Sequence, residues 1–165
     1  MKITEAYLPK ATHFLMNTFY DCFNLTSIEA PLIESVSGFT FYNCSKLSEA
    51  NFPLLKKIGS TYDIYTFAST AIKSVYFPLV SFVCDDAFEN CKSLTTVNLA
   101  NVIQFGNAVF SGCTSLETVT LGAYSYSSIA YPSTLFKGCT NLKSIYVPSG
   151  ALNYYQTNAS WSYWS

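Results

Sequence analysis

The chain has 165 residues, of which 50% are hydrophobic, 17% aromatic and 12% charged, with a net charge of −1. This length fits one domain able to bury a sizeable core, and with no basic run or acidic tail, electrostatic binding to nucleic acid or anionic lipid is not expected. No apolar run reaches the roughly 18 residues of a membrane-spanning helix, and the opening "MKITEAYLPK" lacks the apolar segment of a signal peptide.

The predicted elements are short strands, and they repeat. A tripeptide with apolar outer positions, usually followed by Pro, appears as "AYLP" at Ala6, "IEAP" at Ile28, "ANFP" at Ala50 and "VYFP" at Val75. It continues as "VNLA" at Val97, "VTLG" at Val119 and "IYVP" at Ile145, with successive starts 22, 22, 25, 22, 22 and 26 residues apart. Three residues before each start stands an aliphatic: Ile3, Leu25, Leu47, Ile72, Leu94, Leu116 and Leu142. The pattern L-x-x-I-x-L has the period of two expected of a strand with one buried face.

Ahead of each strand lies F-x-x-C: Phe19/Cys22, Phe41/Cys44, Phe88/Cys91, Phe110/Cys113 and Phe136/Cys139. One rung keeps Phe67 but has Thr70 for the cysteine and is one residue short. Two rungs, "GSTYDIYTF" and "GAYSYSSIAYPSTLF", carry four extra residues, which accounts for the odd spacings.

A period near 22 with this pattern belongs to leucine-rich-repeat solenoids. "VCDDAFENCKSLTTVNLA" (83–100) resembles the rung of BspA-like leucine-rich repeat proteins, V-x-x-x-A-F-x-x-C-x-x-L-x-x-V-x-L-P, and the resemblance runs from Ile3 to about Pro148. It departs at Thr70, in the two insertions, and where Ala100 and Gly122 replace Pro. The resemblance implies an α/β repeat solenoid of the right-handed leucine-rich-repeat type, with one parallel β-sheet and about seven rungs of 22–26 residues. It also implies a surface or secreted microbial protein, often linked to adhesion.

Residues 1–148 are therefore read as the solenoid and 149–165 as a C-terminal cap. Ser149 is the candidate N-cap, and Tyr154, Tyr155, Trp161 and Trp164 would close the last rung. Because the first rung starts in mid-pattern, the chain is expected to be a piece of a longer solenoid.

The recurring cysteines could be disulfides, metal ligands, nucleophiles or core. Neighbouring rungs are close enough to bridge, about 4.8 Å apart, but equivalent cysteines point the same way and Thr70 replaces one without loss of pattern. No C-x-x-C occurs and His13 is the only histidine, so neither a zinc site nor an activated thiol has partners. The position of His13 is shared by Ser35, Lys57, Phe82 and Gln104, which marks it as exposed. A packed column of small apolar residues is the remaining reading. Cys84, aligned with Ser37, Gly59 and Gly106, is the thiol expected to reach solvent.

Asp85-Asp86 reads as a solvated turn, and there is no phosphate loop and no Ser-His-Asp order. Sequons at Asn24, Asn43 and Asn158 matter only in a eukaryotic secretory host. No catalytic residue, metal or cofactor is expected, and the chain is read as no enzyme.

Function is then expected on exposed columns. The middle strand residues Tyr7, Glu29, Asn51, Tyr76, Asn98, Thr120 and Tyr146 point away from the core. Beside them runs Glu5, Ser27, Glu49, Ser74, Thr96, Thr118 and Ser144. The insertions offer a second patch, Tyr62, Tyr65, Tyr124, Tyr126 and Tyr131, with the Tyr/Ser/Gly composition of adaptable recognition loops. The expected role is a non-enzymatic recognition and adhesion module of a larger cell-surface or secreted protein, taking a protein or glycan partner on a host surface or matrix. The alternative is a structural spacer presenting another domain. Whether the chain is a monomer or pairs by its exposed edge is left open.

Overall fold

The computed structural model describes residues 2–122 and 132–153. Seven strands fall on the predicted tripeptides: β1 (Glu5–Tyr7), β3 (Ser27–Glu29), β5 (Glu49–Asn51), β7 (Ser74–Tyr76), β9 (Thr96–Leu99), β11 (Thr118–Leu121) and β12 (Ser144–Tyr146). Between them lie five two-residue strands: β2 (His13–Phe14), β4 (Ser35–Val36), β6 (Lys57–Ile58), β8 (Phe82–Val83) and β10 (Gln104–Phe105). Helix is found, among the described residues, in α1 (Pro132–Leu135), in a 3₁₀ turn over Ser149–Ala151 and at Leu152 and Asn153 directly after it. The chain is thus a solenoid of parallel strands, each rung built of a long strand, a short strand and a turn segment.

The long strands do not make one sheet. They pair as β1-β3-β5 and as β7-β9-β11-β12, while the short strands form a continuous ladder β2-β4-β6-β8-β10. The break falls at the irregular rung: between Phe67 and β7 the chain is one residue shorter than in the other rungs. The four added residues before Phe67 are absorbed without breaking the other ladders, since Lys57 still pairs with Phe82 and Phe67 N–H still donates to Ala87 O at 2.7 Å. The short ladder was not anticipated, because two residues are too few to show a period of two.

Inside, equal residues stack on equal residues. Phe19, Phe41, Phe67, Phe88, Phe110 and Phe136 form one column of near-parallel rings with successive centroids 5.4, 5.0, 5.3, 5.6 and 5.6 Å apart. Stacked pairs of this kind add about 0.5–1.5 kcal/mol each beyond the area they bury. Leu25, Leu47, Ile72, Leu94 and Leu116 build a second buried column, and Ile28, Val75, Val97 and Val119 occupy a third.

The turn segment is held by residues in the left-handed region. Two occur in most rungs: one two residues before the Phe (Asn17, Phe39, Tyr65, Asp86, Ala108) and one just before the Cys position (Asp21, Asn43, Ser69, Asn90, Gly112, Gly138). This conformation aims their N–H groups along the solenoid axis, at the next rung. Asp86 N–H donates to Asn107 O at 2.9 Å, Asn90 to Ser111 O at 2.7 Å and Gly112 to Lys137 O at 2.7 Å. The turns are therefore hydrogen-bonded between rungs much as the strands are, which satisfies backbone that a loop would leave to water. At Gly112, with φ +73°, glycine takes the left-handed conformation without strain, and an added Cβ would make the Asn90 side chain shift.

Ser149 is not an N-cap: it is the first residue of the 3₁₀ turn, whose N-cap is Pro148 with no side-chain hydrogen bond. The aromatic residues assigned to the cap, Tyr154, Tyr155, Trp161 and Trp164, lie outside the described residues.

Phe88, fully buried between two stacked neighbours, is the sharpest test of the column. Phe88→Ala is expected to lower stability by about 3–5 kcal/mol, read as a lower urea midpoint. A loss below about 1 kcal/mol would mean that the stack contributes little.

Candidate recognition surface

The cysteines come first, because they decide whether the site is chemical. All six are free and buried. The column of five that excludes Cys84 is also a hydrogen-bond ladder: the thiol of Cys44 donates to Phe19 O at 3.0 Å, and Cys91, Cys113 and Cys139 donate to Phe67, Phe88 and Phe110 O, each at 3.1 Å. Every bond reaches back one rung. Cysteine suits this place because it is small and apolar yet carries a weak donor. Where it is absent, Thr70 Oγ1 donates to Phe67 O at 2.9 Å and meets Cys91 Sγ at 3.2 Å, so a hydroxyl keeps the column polar-satisfied.

Cys84 corrects the expectation drawn from its alignment, for it is only 1% exposed. Gly59, the equivalent residue one rung earlier, has no side chain, and a Cβ there would collide with the Cys84 side chain. The vacated space admits the sulfur, which lies 3.3 Å from Thr66 Oγ1. Burial pushes the thiols of Cys84, Cys91 and Cys139 up to about 11 and that of Cys44 up to about 12, and raises Cys22 and Cys113 as well.

His13 is exposed, its Nδ1 paired with Thr12 Oγ1 at 2.9 Å, and it aligns in the short ladder with Ser35, Lys57, Phe82 and Gln104 as read from the sequence. Among the described residues no three His, Cys, Asp or Glu side chains converge on a metal-sized site, and no helix is long and apolar enough to cross a membrane.

The strand row is assembled by register. Tyr7, Glu29 and Asn51 are cross-strand partners, as are Tyr76, Asn98, Thr120 and Tyr146. Tyr7, Tyr76 and Tyr146 are 65%, 67% and 59% exposed, three large rings left in solvent. The neighbouring row, Glu5, Ser27, Glu49, Ser74, Thr96, Thr118 and Ser144, keeps the same register. The break between β5 and β7 divides this surface by chemistry. The first sheet carries Glu5, Glu29 and Glu49, whereas the second carries only hydroxyls and one amide. Asn98 is partly occupied within its own turn: its Oδ1 accepts the Ala100 N–H at 3.3 Å. Every other rung except that of Gly122 has proline there, which has no such N–H to satisfy.

The loop patch divides as well. Tyr62 is 95% exposed, but Tyr65 occupies the left-handed position equivalent to Phe39 and packs on Phe39 and Tyr42 at 5.5 and 5.8 Å. Tyr124, Tyr126 and Tyr131 lie outside the described residues. Tyr65 thus joins a group that sequence reading missed, Tyr20, Phe39 and Tyr42, exposed or half-buried on the turn face. The available signal was the doublet Phe-Tyr at 19–20 and 41–42, where the first ring enters the core and the second leaves it.

Asp85 is less a solvated residue than an anchor, its carboxylate accepting the Asn107 N–H at 2.9 Å and Asn107 Nδ2 at 3.0 Å. Its neighbour Asp86 is half-buried with φ +52°. Desolvation, then the charges of Glu89 and Asp85, push its carboxyl up to about 6. The field of Asp86, followed by burial and Glu89, raises the Tyr65 hydroxyl.

Parallel short strands in equal rungs, an inward Leu/Phe/Cys repeat and a patterned exposed sheet together define a leucine-rich-repeat domain. The chain belongs to the BspA type leucine rich repeat region family, which matches residues 12–62 and 60–161 with six copies. Solved structures agree in fold. A leucine-rich repeat protein from Bacteroides ovatus is 22% identical with a TM-score of 0.58, over 87% of this chain and 45% of its own. The T. pallidum Leucine Rich Repeat protein is 20% identical with a TM-score of 0.68, over 93% of this chain and 82% of its own. A leucine rich cell surface protein from Faecalibacterium prausnitzii is 17% identical with a TM-score of 0.59, over 92% of this chain and 50% of its own. The chain thus spans about half the length of the first and last of these. No curated protein matches the sequence.

Two measurements follow. Native Cys44, Cys84, Cys91 and Cys139 at pH 8 are expected to label at least about 100-fold more slowly than in denaturant, since each unit of upward shift removes a tenfold share of thiolate. All six should react after unfolding without reductant; fast native labelling would contradict the buried column. For Asp86, the folded carboxyl holds its proton to about pH 6 while an unfolded one releases it near 3.9. The folded state therefore binds more protons across that window, and this group makes stability fall as pH rises through it. Asp86→Asn, which tolerates the left-handed backbone, should raise the melting temperature at pH 7, leave it unchanged near pH 4, and flatten the slope between.

Proposed function

We propose that the chain is a non-enzymatic recognition module, adhesive in role, of a larger cell-surface or secreted microbial protein. It binds a protein or glycan ligand through the long-strand face. The observation that supports this is the exposure of Tyr7, Tyr76 and Tyr146 on strands whose alternate side chains face the core, Val75 buried in it and Ala6 and Ile145 packed against it. Tyrosine supplies large amphipathic contact area with little rotamer freedom to lose, and solenoids use such continuous faces for binding. The Faecalibacterium neighbour's description as a cell surface protein is consistent with that location. Residues 149–165 act as the C-terminal cap of the solenoid of residues 1–148.

Replacing Tyr7, Tyr76 and Tyr146 together by Thr keeps strand-favouring residues on an exposed face, so stability should shift by less than about 0.5 kcal/mol per site. Binding to immobilised host matrix proteins or glycans should weaken at least about tenfold, or 1.4 kcal/mol. Equal binding by the parent and the triple variant would favour the structural spacer.

A further inference from the structure

The turn face carries a feature that the long-strand face does not explain. Tyr20 and Tyr42 stack at 5.3 Å, Phe39 lies 6.3 Å from Tyr20 and 5.8 Å from Tyr42, and Tyr65 closes the group. Tyr20 is 43% exposed and its neighbour Met16 52%. With Asn17 and Phe39 they line a shallow concavity of about 480 Å³. The core does not demand these rings, for the Phe and Cys columns behind them are complete in the rungs that lack them. Nor does the backbone: Phe39 and Tyr65 sit at φ +55° and +58°, where other rungs use Asn17, Asp86 and Ala108. Bulky residues are outliers in that region.

Charge on the first four turns is one-sided. All four aspartates of the chain (Asp21, Asp63, Asp85 and Asp86) and Glu89 fall in the turn segments 15–22, 37–44, 61–70 and 84–91, which contain no lysine; Lys92 follows the fourth of these and Lys137 lies in the last turn, two rungs beyond Glu89. Asp86 and Glu89 continue the columns of Tyr65 and Tyr42 at the carboxylate end, one rung beyond Tyr65, whose backbone N–H donates to Asp85 O at 3.2 Å. Tyr65 feels their field. Aromatic faces attract cations through their quadrupole, and guanidinium stacks on rings while pairing with carboxylates. Rings in a row ending in carboxylates match such a side chain in both respects.

We propose that the turn face is a docking surface for an arginine- or lysine-bearing segment of a partner protein. The cationic side chains lie across Tyr20, Phe39, Tyr42 and Tyr65, and Asp86 and Glu89 take their charge. This surface is separate from the long-strand row, and either can fail without the other.

The probe is a short fluorescent peptide alternating arginine with glycine and serine, and its twin with citrulline in place of arginine, which keeps the shape without the charge. Anisotropy titration of the full chain should show binding of the arginine peptide that weakens with added salt. The citrulline peptide should bind at least about fivefold more weakly. Tyr65→Asn, suited to the left-handed backbone, and the pair Asp86→Asn/Glu89→Gln should each weaken binding by a similar factor, with unchanged circular dichroism. The Tyr7/Tyr76/Tyr146 triple variant should bind the peptide as the parent does. The proposal is overturned if the arginine peptide does not bind, if the citrulline twin binds equally, or if either turn-face variant binds unchanged. It is likewise overturned if the face prefers a neutral oligosaccharide whose binding is lost in Tyr65→Asn and unaffected by the carboxamide pair.

Discussion

Everything in this molecule depends on one constraint: each rung must lie in register on the one before it. A rung of some 22 residues cannot bury its apolar side alone, and stacking supplies the missing surface. Register follows from the fit of like on like, with Phe on Phe at 5.0–5.6 Å and thiol on the carbonyl of the preceding rung. The left-handed turn residues complete it by aiming N–H groups along the stack. A sequence repeat is thereby converted into columns, and the Phe and Cys columns of the rungs lie inside.

That conversion governs where function can reside. The cysteines are recurrent and potentially reactive, but the column they occupy is interior, and burial removes the thiolate on which their chemistry depends. Their role is to fill space and to donate a weak hydrogen bond, which Thr70 shows a hydroxyl can also do. Variation is instead free on the outward columns, and there the chain departs from its repeat. Three tyrosines stand on the long-strand face, and four rings stand on the turn face beside the chain's aspartates.

The irregular rung around Phe67 has a disproportionate effect. One residue lost and four gained leave the Phe column intact, because ring stacking and turn hydrogen bonds tolerate a bulge before them. The long-strand ladder has no such slack and breaks between β5 and β7. As a result the candidate binding face consists of an acidic sheet and a hydroxyl-rich sheet rather than one surface.

The repeat period, the inward columns and the outward strand row were legible in the sequence, because strand alternation and rung spacing act through local geometry that each residue obeys by itself. The aligned set of His13, Ser35, Lys57, Phe82 and Gln104 was likewise legible, since a fixed period places equivalent residues one rung apart. Other features were decided only by the packed chain. Cys84 is buried because Gly59, 25 residues away, leaves room for its sulfur. The long sheet divides at the rung whose link to its strand is one residue shorter. Phe39 and Tyr65 meet on the turn face because left-handed turns, unmarked by glycine there, bring them together. Each of these depends on what the neighbouring rung leaves empty or presents, and the sequence of one rung carries no record of that.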